Sequence, residues 1–218
     1  YSTAEVSGDE DVGGRLGDND GTVENCYSTA EVSGNSSVGG LVGYNYGTIE
    51  NSFYCIDDTE INGRHIVTAY GIYKEQFEDW FEDRAIEIDD YLTKISGTDY
   101  YRIESVSDLK KLLPFALGGD YKFRQTKDID LSTEKDFYIP VFKGKEYDGD
   151  GHSIFNLNII YLNNTKGFFG RVGSGAYISN LSVLDCDVSG YDCVGGLVGE
   201  NEGTVENCHS TGKVSGGS

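Results

Sequence analysis

The sequence has no methionine, one tryptophan, two prolines and three histidines in 218 residues. No apolar run approaches the roughly 18 residues of a membrane-spanning helix, so no membrane insertion is expected of this stretch. Cations are scarce: 17 Lys and Arg stand against 37 Asp and Glu, a formal charge of −20. That balance argues against gripping nucleic acid or anionic lipid by charge. It suits a soluble extracellular surface, or calcium-rich or saline surroundings. None of the histidines, His65, His152 and His209, opens an H-E-x-x-H zinc-protease helix, and no G-x-S-x-G is present. No two of the five cysteines stand at C-x-x-C spacing, so no zinc site is expected. There is no signal peptide and no initiator methionine, and the chain opens and closes inside a repeat, which reads as a piece of a longer protein.

What is present is a repeat. Val12 to Gly34 reads VGGRLGDNDGTVENCYSTAEVSG, Val38 to Tyr54 reads VGGLVGYNYGTIENSFY, and Val194 to Gly216 reads VGGLVGENEGTVENCHSTGKVSG. Residues 1–8, YSTAEVSG, are the tail of a further copy. A fixed period of 20 to 50 residues marks a solenoid or related array. Each unit holds two or three short β-branched runs separated by Asn, Asp, Glu and Gly, too short for helices, so strands are expected. With 30 glycines and 16 tyrosines, the composition fits a turn-rich all-β protein. One unit fits one coil of a parallel β-helix, its strands pairing with the coils above and below at ~4.8 Å.

Two asparagines recur in register: Asn19, Asn45 and Asn201, then Asn25, Asn51 and Asn207. They read as inward structural ladders of stacked amides rather than as ligand-binding groups. The glycines at 13–14, 39–40 and 195–196 read as sharp bends or close approaches, not phosphate cradles, since no helix follows them.

This repeat resembles the GLUG motif, through Gly40-Leu41-Val42-Gly43 and Gly196-Leu197-Val198-Gly199. Arg15 and Leu16 depart from it and are expected to weaken packing there. The resemblance implies a right-handed parallel β-helix outside the cell. GLUG repeats occur in large secreted or surface proteins, including adhesins of the filamentous haemagglutinin type and the non-catalytic part of some immunoglobulin A peptidases.

Taken in order, residues 1–54 read as the end of a first β-helix array. Residues 55–99 read as a capping segment and linker. Tyr73, Phe77, Trp80 and Phe81 stand at i, i+4, i+7 and i+8, an apolar stripe that predicts a helix near 73–85, packed on a core rather than serving as a sugar platform. Residues 100–218 read as a second β-helix module. Ser105 or Ser107 caps a helix near 105–113, which Pro114 stops. The helix, Asp128-Ile-Asp-Leu131 and Asp148-Gly-Asp150-Gly-His152 with Ile154 and Leu157 resemble the start of GLUG-bearing β-helices. Gly167 to Gly190 reads as a variant repeat, with Phe168-Phe169 in the Leu-Val place.

Chemistry is thin. Asp148, Asp150 and His152 offer a calcium loop or a carboxylate pair for glycan cleavage on one reading and an Asp-Gly turn on the other; the turn is preferred. Asp9, Glu10 and Asp11 with Asp18 and Asp20 form a second acidic cluster, a solvated edge or a weak calcium site. Cys208 and His209 are strand neighbours facing opposite sides. No catalytic, cofactor-binding or metal residue is therefore assigned. Among Cys26, Cys55, Cys186, Cys193 and Cys208 the pairing stays open; Cys186 and Cys193 flank a short turn that a disulfide would close. Asn35, Asn163 and Asn180 head glycosylation sequons, Asn180 in the inward column. The expected role is a non-catalytic structural or adhesive repeat region of a large extracellular, cell-surface protein. Its partners would be surface proteins or glycans of a host or neighbouring cell, or copies of itself. An S-layer or sheath-like envelope polymer and a β-helix polysaccharide-degrading enzyme are the alternatives.

Overall fold

The computed structural model describes residues 1–160 and 165–217. The β-branched runs are strands, and every strand pair among the described residues is parallel. Parallel neighbours need a crossover of about a dozen residues or more, usually a helix. Here the crossover is mostly the rest of the repeat itself. The chain is all-β, with a few short helices, and divides into two compact units, Tyr1–Glu87 and Ile88–Ser218.

In the first unit the sequence period is the pairing register. Val12 faces Val38, Leu16 faces Val42, Val23 faces Ile49 and Tyr27 faces Phe53. Like residues stack on like, so apolar columns run through the interior. Val12, Val23, Val38, Leu41, Val42 and Phe53 are buried. Arg15 is exposed and Leu16 half-buried, where Leu41 and Val42 are buried. The glycine pairs are steric necessities: a Cβ on Gly39 would lie 2.0 Å from the Val42 carbonyl oxygen, and one on Gly40 would lie 2.4 Å from the Tyr54 ring.

The two asparagine columns differ. Asn19 is buried and its Nδ2 donates to Asn45 Oδ1 at 2.7 Å, but Asn45 is half-buried and Asn201 is exposed, so the first column points inward only in part. The second column does not point inward as the sequence suggested. Asn25, Asn51, Asn180 and Asn207 are exposed and sit at φ 52°, 44°, 53° and 53°. Asparagine tolerates this left-handed conformation better than other residues with a Cβ. The side chains still form ladders: Asn51 Nδ2 donates to Asn25 Oδ1 at 2.7 Å, and Asn207 Nδ2 to Asn180 Oδ1 at 3.5 Å. They recur because the corner needs this backbone.

A helix, Lys74–Asp83, closes the first unit's ladder. Trp80 Nε1 donates to Asn51 Oδ1 at 2.6 Å, and Asn51 Nδ2 also donates to the Arg84 carbonyl at 2.8 Å. Asp57 accepts the Lys74 amide at 2.8 Å, meeting one orphan donor of the first turn. Phe77 and Trp80 are buried against Tyr27 and Phe53, while Phe81 stays 44% exposed.

In the second unit the helix Val106–Leu112 is capped by Ser105, whose Oγ accepts from the Asp108 amide at 3.2 Å while the Asp108 carboxylate accepts from the Glu104 amide at 3.0 Å. A 3-10 turn, Leu113–Leu117, holds Pro114. A five-stranded parallel sheet runs through Tyr100–Ile103, Lys122–Gln125, Glu146–Asp148, Tyr177–Ser179 and Thr204–Glu206. Phe123, Phe142, Tyr147, Phe168 and Phe169 are fully buried and meet edge to face, so Phe168-Phe169 enters a core already aromatic. Phe169 faces Val198, Ile178 faces Val205 and Cys186 faces Gly212. The variant repeat's extra residues thus fall in the turn before Tyr177 and in a bulge at Asp185, φ 55°.

Candidate functional site

The Asp148–His152 turn is built around one carboxylate. Asp148 Oδ2 lies 3.0 Å from Arg124 Nε. Its Oδ1 accepts from Asn180 Nδ2 and from the Asp150 amide, each at 3.0 Å. Burial alone would raise its pKa. The bonds from Asn180 and the Asp150 amide, with the Arg124 charge, outweigh burial and hold it below the usual carboxylate range. Asp148 is thus the foot of the second asparagine ladder, Asp148–Asn180–Asn207, with both of its oxygens engaged by its own fold. Asp150, at φ 50°, is exposed. His152 Nδ1 lies 3.3 Å from Asp128 Oδ1 instead of turning toward Asp148. The motif makes a turn, closed by the Asp150 amide on the Asp148 carboxylate.

Among the described residues, no three His, Cys, Asp or Glu side chains converge as a metal site. Asp9 accepts from Asn35 Nδ2 at 2.6 Å, and Asp11 turns a corner at φ 52°. Cys208 Sγ contacts the Glu206 carbonyl at 3.2 Å, while His209 Nδ1 meets Ser182 Oγ at 3.2 Å, so the two make no dyad.

All five cysteines are free thiols. Cys186 and Cys193 do not close their turn, because Cys186 is buried beneath Gly196 while Cys193 is exposed at φ 45°. Burial pushes the Cys55 thiol up to about 12 and raises Cys186 and Cys208 as well. Of the sequons, Asn35 is exposed, Asn180 is exposed but tied into the ladder, and Asn163 lies outside the described residues.

The first unit also carries a recess of about 380 Å³ whose lining includes Glu5, Glu31, Asp57, Asp58, Glu60 and His65. Sequence reasoning missed it. Val6 pairs with Val32 and Val32 bridges to Ile61, which stacks Glu5, Glu31 and Glu60 in one column. The 26-residue spacing of Glu5 and Glu31 was a signal; Glu60 lies past a loop that breaks the period.

Comparison with known proteins bears on the repeat. The family model described as the GLUG motif matches residues 34–53 and 190–215. A protein named Halomucin, from Haloquadratum walsbyi, is 32% identical over 140 residues, covering 56% of this chain and 2% of that protein. The chain thus spans a small fraction of that relative's length. No solved structure matches. The GLUG motif is thus matched in each of the chain's two units.

Proposed function

We propose that each unit is a right-handed parallel β-helix and that the chain is a non-catalytic structural or adhesive repeat region of a large extracellular, cell-surface protein. The observation that carries this reading is the register: the first unit's repeats stack in parallel, one period apart, with side chains laddered on their own equivalents. Such a stack makes a stiff, repetitive surface and needs no ligand to hold it. The charge of −20 keeps that surface hydrated, and no helix among the described residues is long and apolar enough to cross a membrane. The non-catalytic reading rests on Asp148, whose oxygens are occupied by Arg124, Asn180 and the Asp150 amide. Protease shaving of intact source cells tests the location. Peptides of this chain are expected in the supernatant before lysis; their appearance only after lysis would overturn the reading.

A second reading, a sheath or S-layer-like envelope polymer, is favoured by the exposed free thiol of Cys193. Oxidised assemblies that vanish in Cys193→Ser would support it. A monomer at high concentration under oxidising conditions would sink it.

A further inference from the structure

Three repeats close a turn with one pattern, an asparagine between two like residues and then a glycine. These are Asp18-Asn19-Asp20-Gly21, Tyr44-Asn45-Tyr46-Gly47 and Glu200-Asn201-Glu202-Gly203. The asparagine holds the turn: Asn45 Nδ2 donates to the Gly47 carbonyl at 3.1 Å, as Asn19 Nδ2 does to Gly21 at 3.4 Å. The flanking side chains stand on the outside. Asp18 and Asp20 are exposed, and Tyr44 and Tyr46 are 36% and 73% exposed. Carboxylates serve these two positions in the sister repeats, so the turn itself does not require rings at 44 and 46. The rings lie 4.6 Å apart, tilted by 52°. Asp18 faces Tyr44 across the strand pair and Asp20 shares the phase of Tyr46, so the carboxylates sit one strand away, ~4.8 Å.

Rings bordered by carboxylates match a cation with a flat, weakly hydrated face, which is a guanidinium. The second unit satisfies the same combination internally. Arg124 lies 4.0 Å over the Tyr100 ring with its Nε 3.0 Å from Asp148, so that ring, guanidinium and carboxylate come from three successive strands. Residues 1–87 carry 18 acidic and four basic side chains, a field that draws cationic segments toward this unit.

We propose that the Tyr44–Tyr46 turn docks arginine-bearing peptide segments of a protein partner. The rings stack on the guanidinium, and Asp18 and Asp20 accept its N–H groups. This names a partner class for the adhesive role and rests on that reading.

The test titrates the 218-residue chain with a fluorescent arginine-glycine peptide, read by anisotropy in 0.15 M and 1 M salt (concentrations of about these values bracket strong and weak screening). Y44D/Y46D restores the repeat's own acidic pattern and adds two negative charges. Charge attraction alone makes that variant bind more tightly. The proposed site makes it bind about tenfold more weakly, since each exposed ring contact gives roughly two- to fivefold. D18N/D20N should also weaken binding, and Y44F/Y46F, which keeps the rings, should bind like the parent. Absence of binding by the parent, equal or tighter binding by Y44D/Y46D, or loss in Y44F/Y46F would each overturn the site. So would a neutral oligosaccharide that binds the parent, competes with the peptide and is lost in Y44D/Y46D. Failure of the site leaves the shaving result intact, and a chain absent from the surface fails that assay whatever it binds, so the two readings fall separately.

Discussion

Asn51→Ala should destabilise the first unit by about 3–4 kcal/mol, while Asn207→Ala should cost the second unit only about 1 kcal/mol. Both asparagines hold the same place in the repeat, at φ 44° and 53°. Alanine at either position meets a left-handed backbone that it adopts poorly, worth about 1 kcal/mol. The remainder separates them. Asn51 accepts the Trp80 indole N–H at 2.6 Å and donates to Asn25 at 2.7 Å and to the Arg84 carbonyl at 2.8 Å. Trp80 is fully buried, so its N–H would be left without that acceptor, which costs about 1–3 kcal/mol. Asn207 makes one long bond, 3.5 Å to Asn180 at the surface. Urea titration measures both. Trp80 is the one tryptophan of the chain, so its fluorescence midpoint reads the first unit alone. Far-ultraviolet circular dichroism reads both units. Equal losses for the two variants, or a larger one for Asn207→Ala, would refute the claim that the helix is fastened through the ladder.

Three further outcomes follow from the packing. Burial brings the Lys166 amine from 10.5 down to about 7, so between those values the unfolded chain binds a proton that the folded chain lacks. Stability should therefore rise from about pH 7 to 10.5 and carry the full burial cost below pH 7. Lys166→Met should abolish that slope and gain about 2 kcal/mol at pH 7, the gain being held down because the Tyr138 hydroxyl, 2.8 Å from Nζ, loses its partner. A parent melting temperature that is flat over that range, with the variant no more stable, would contradict this. Gly40→Ala should cost about 2–3 kcal/mol by urea titration because its Cβ would enter the Tyr54 ring; a neutral result would mean that the corner is looser than described. In maleimide labelling followed by mass, Cys193 should react in the folded chain, and Cys55 and Cys186 only after unfolding; early labelling of Cys55 would count against its burial.

The repeat made much of the fold legible. A pairing such as Val12 with Val38 can be read from the period, since a stack of equal turns puts equal phases in contact. Glycine pairs also declared themselves, because a corner that excludes any Cβ excludes it in every copy. The direction of the second asparagine column was not legible. Periodicity reports that a residue is needed but not whether its side chain or its backbone supplies the reason, and at Asn25 and Asn51 the left-handed corner is part of that reason. Asp148 was singled out as chemistry because Asp-Gly-Asp-Gly-His resembles a ligand loop. Arg124 and Asn180, which occupy its oxygens, lie 24 and 32 residues away in sequence, beyond any local pattern. The Tyr44-Asn45-Tyr46 departure stood in plain sight, but its meaning needed the exposure of both rings. The acidic recess needed Glu60, which the loop had moved out of period.

The central claim is that the repeats stack in parallel, one period in register, and paired cysteines test it most directly. Thr22 faces Thr48 across the strand pair. In a Thr22→Cys/Thr48→Cys chain the Cα atoms stand about 4.8 Å apart, within disulfide reach. In Glu24→Cys/Thr48→Cys they stand about 8 Å apart, beyond it. Mild oxidation and mass mapping should find the 22–48 bond form readily and the 24–48 bond fail. Equal yields, or a 24–48 bond in preference, would contradict the register on which the fold and the proposed function both stand.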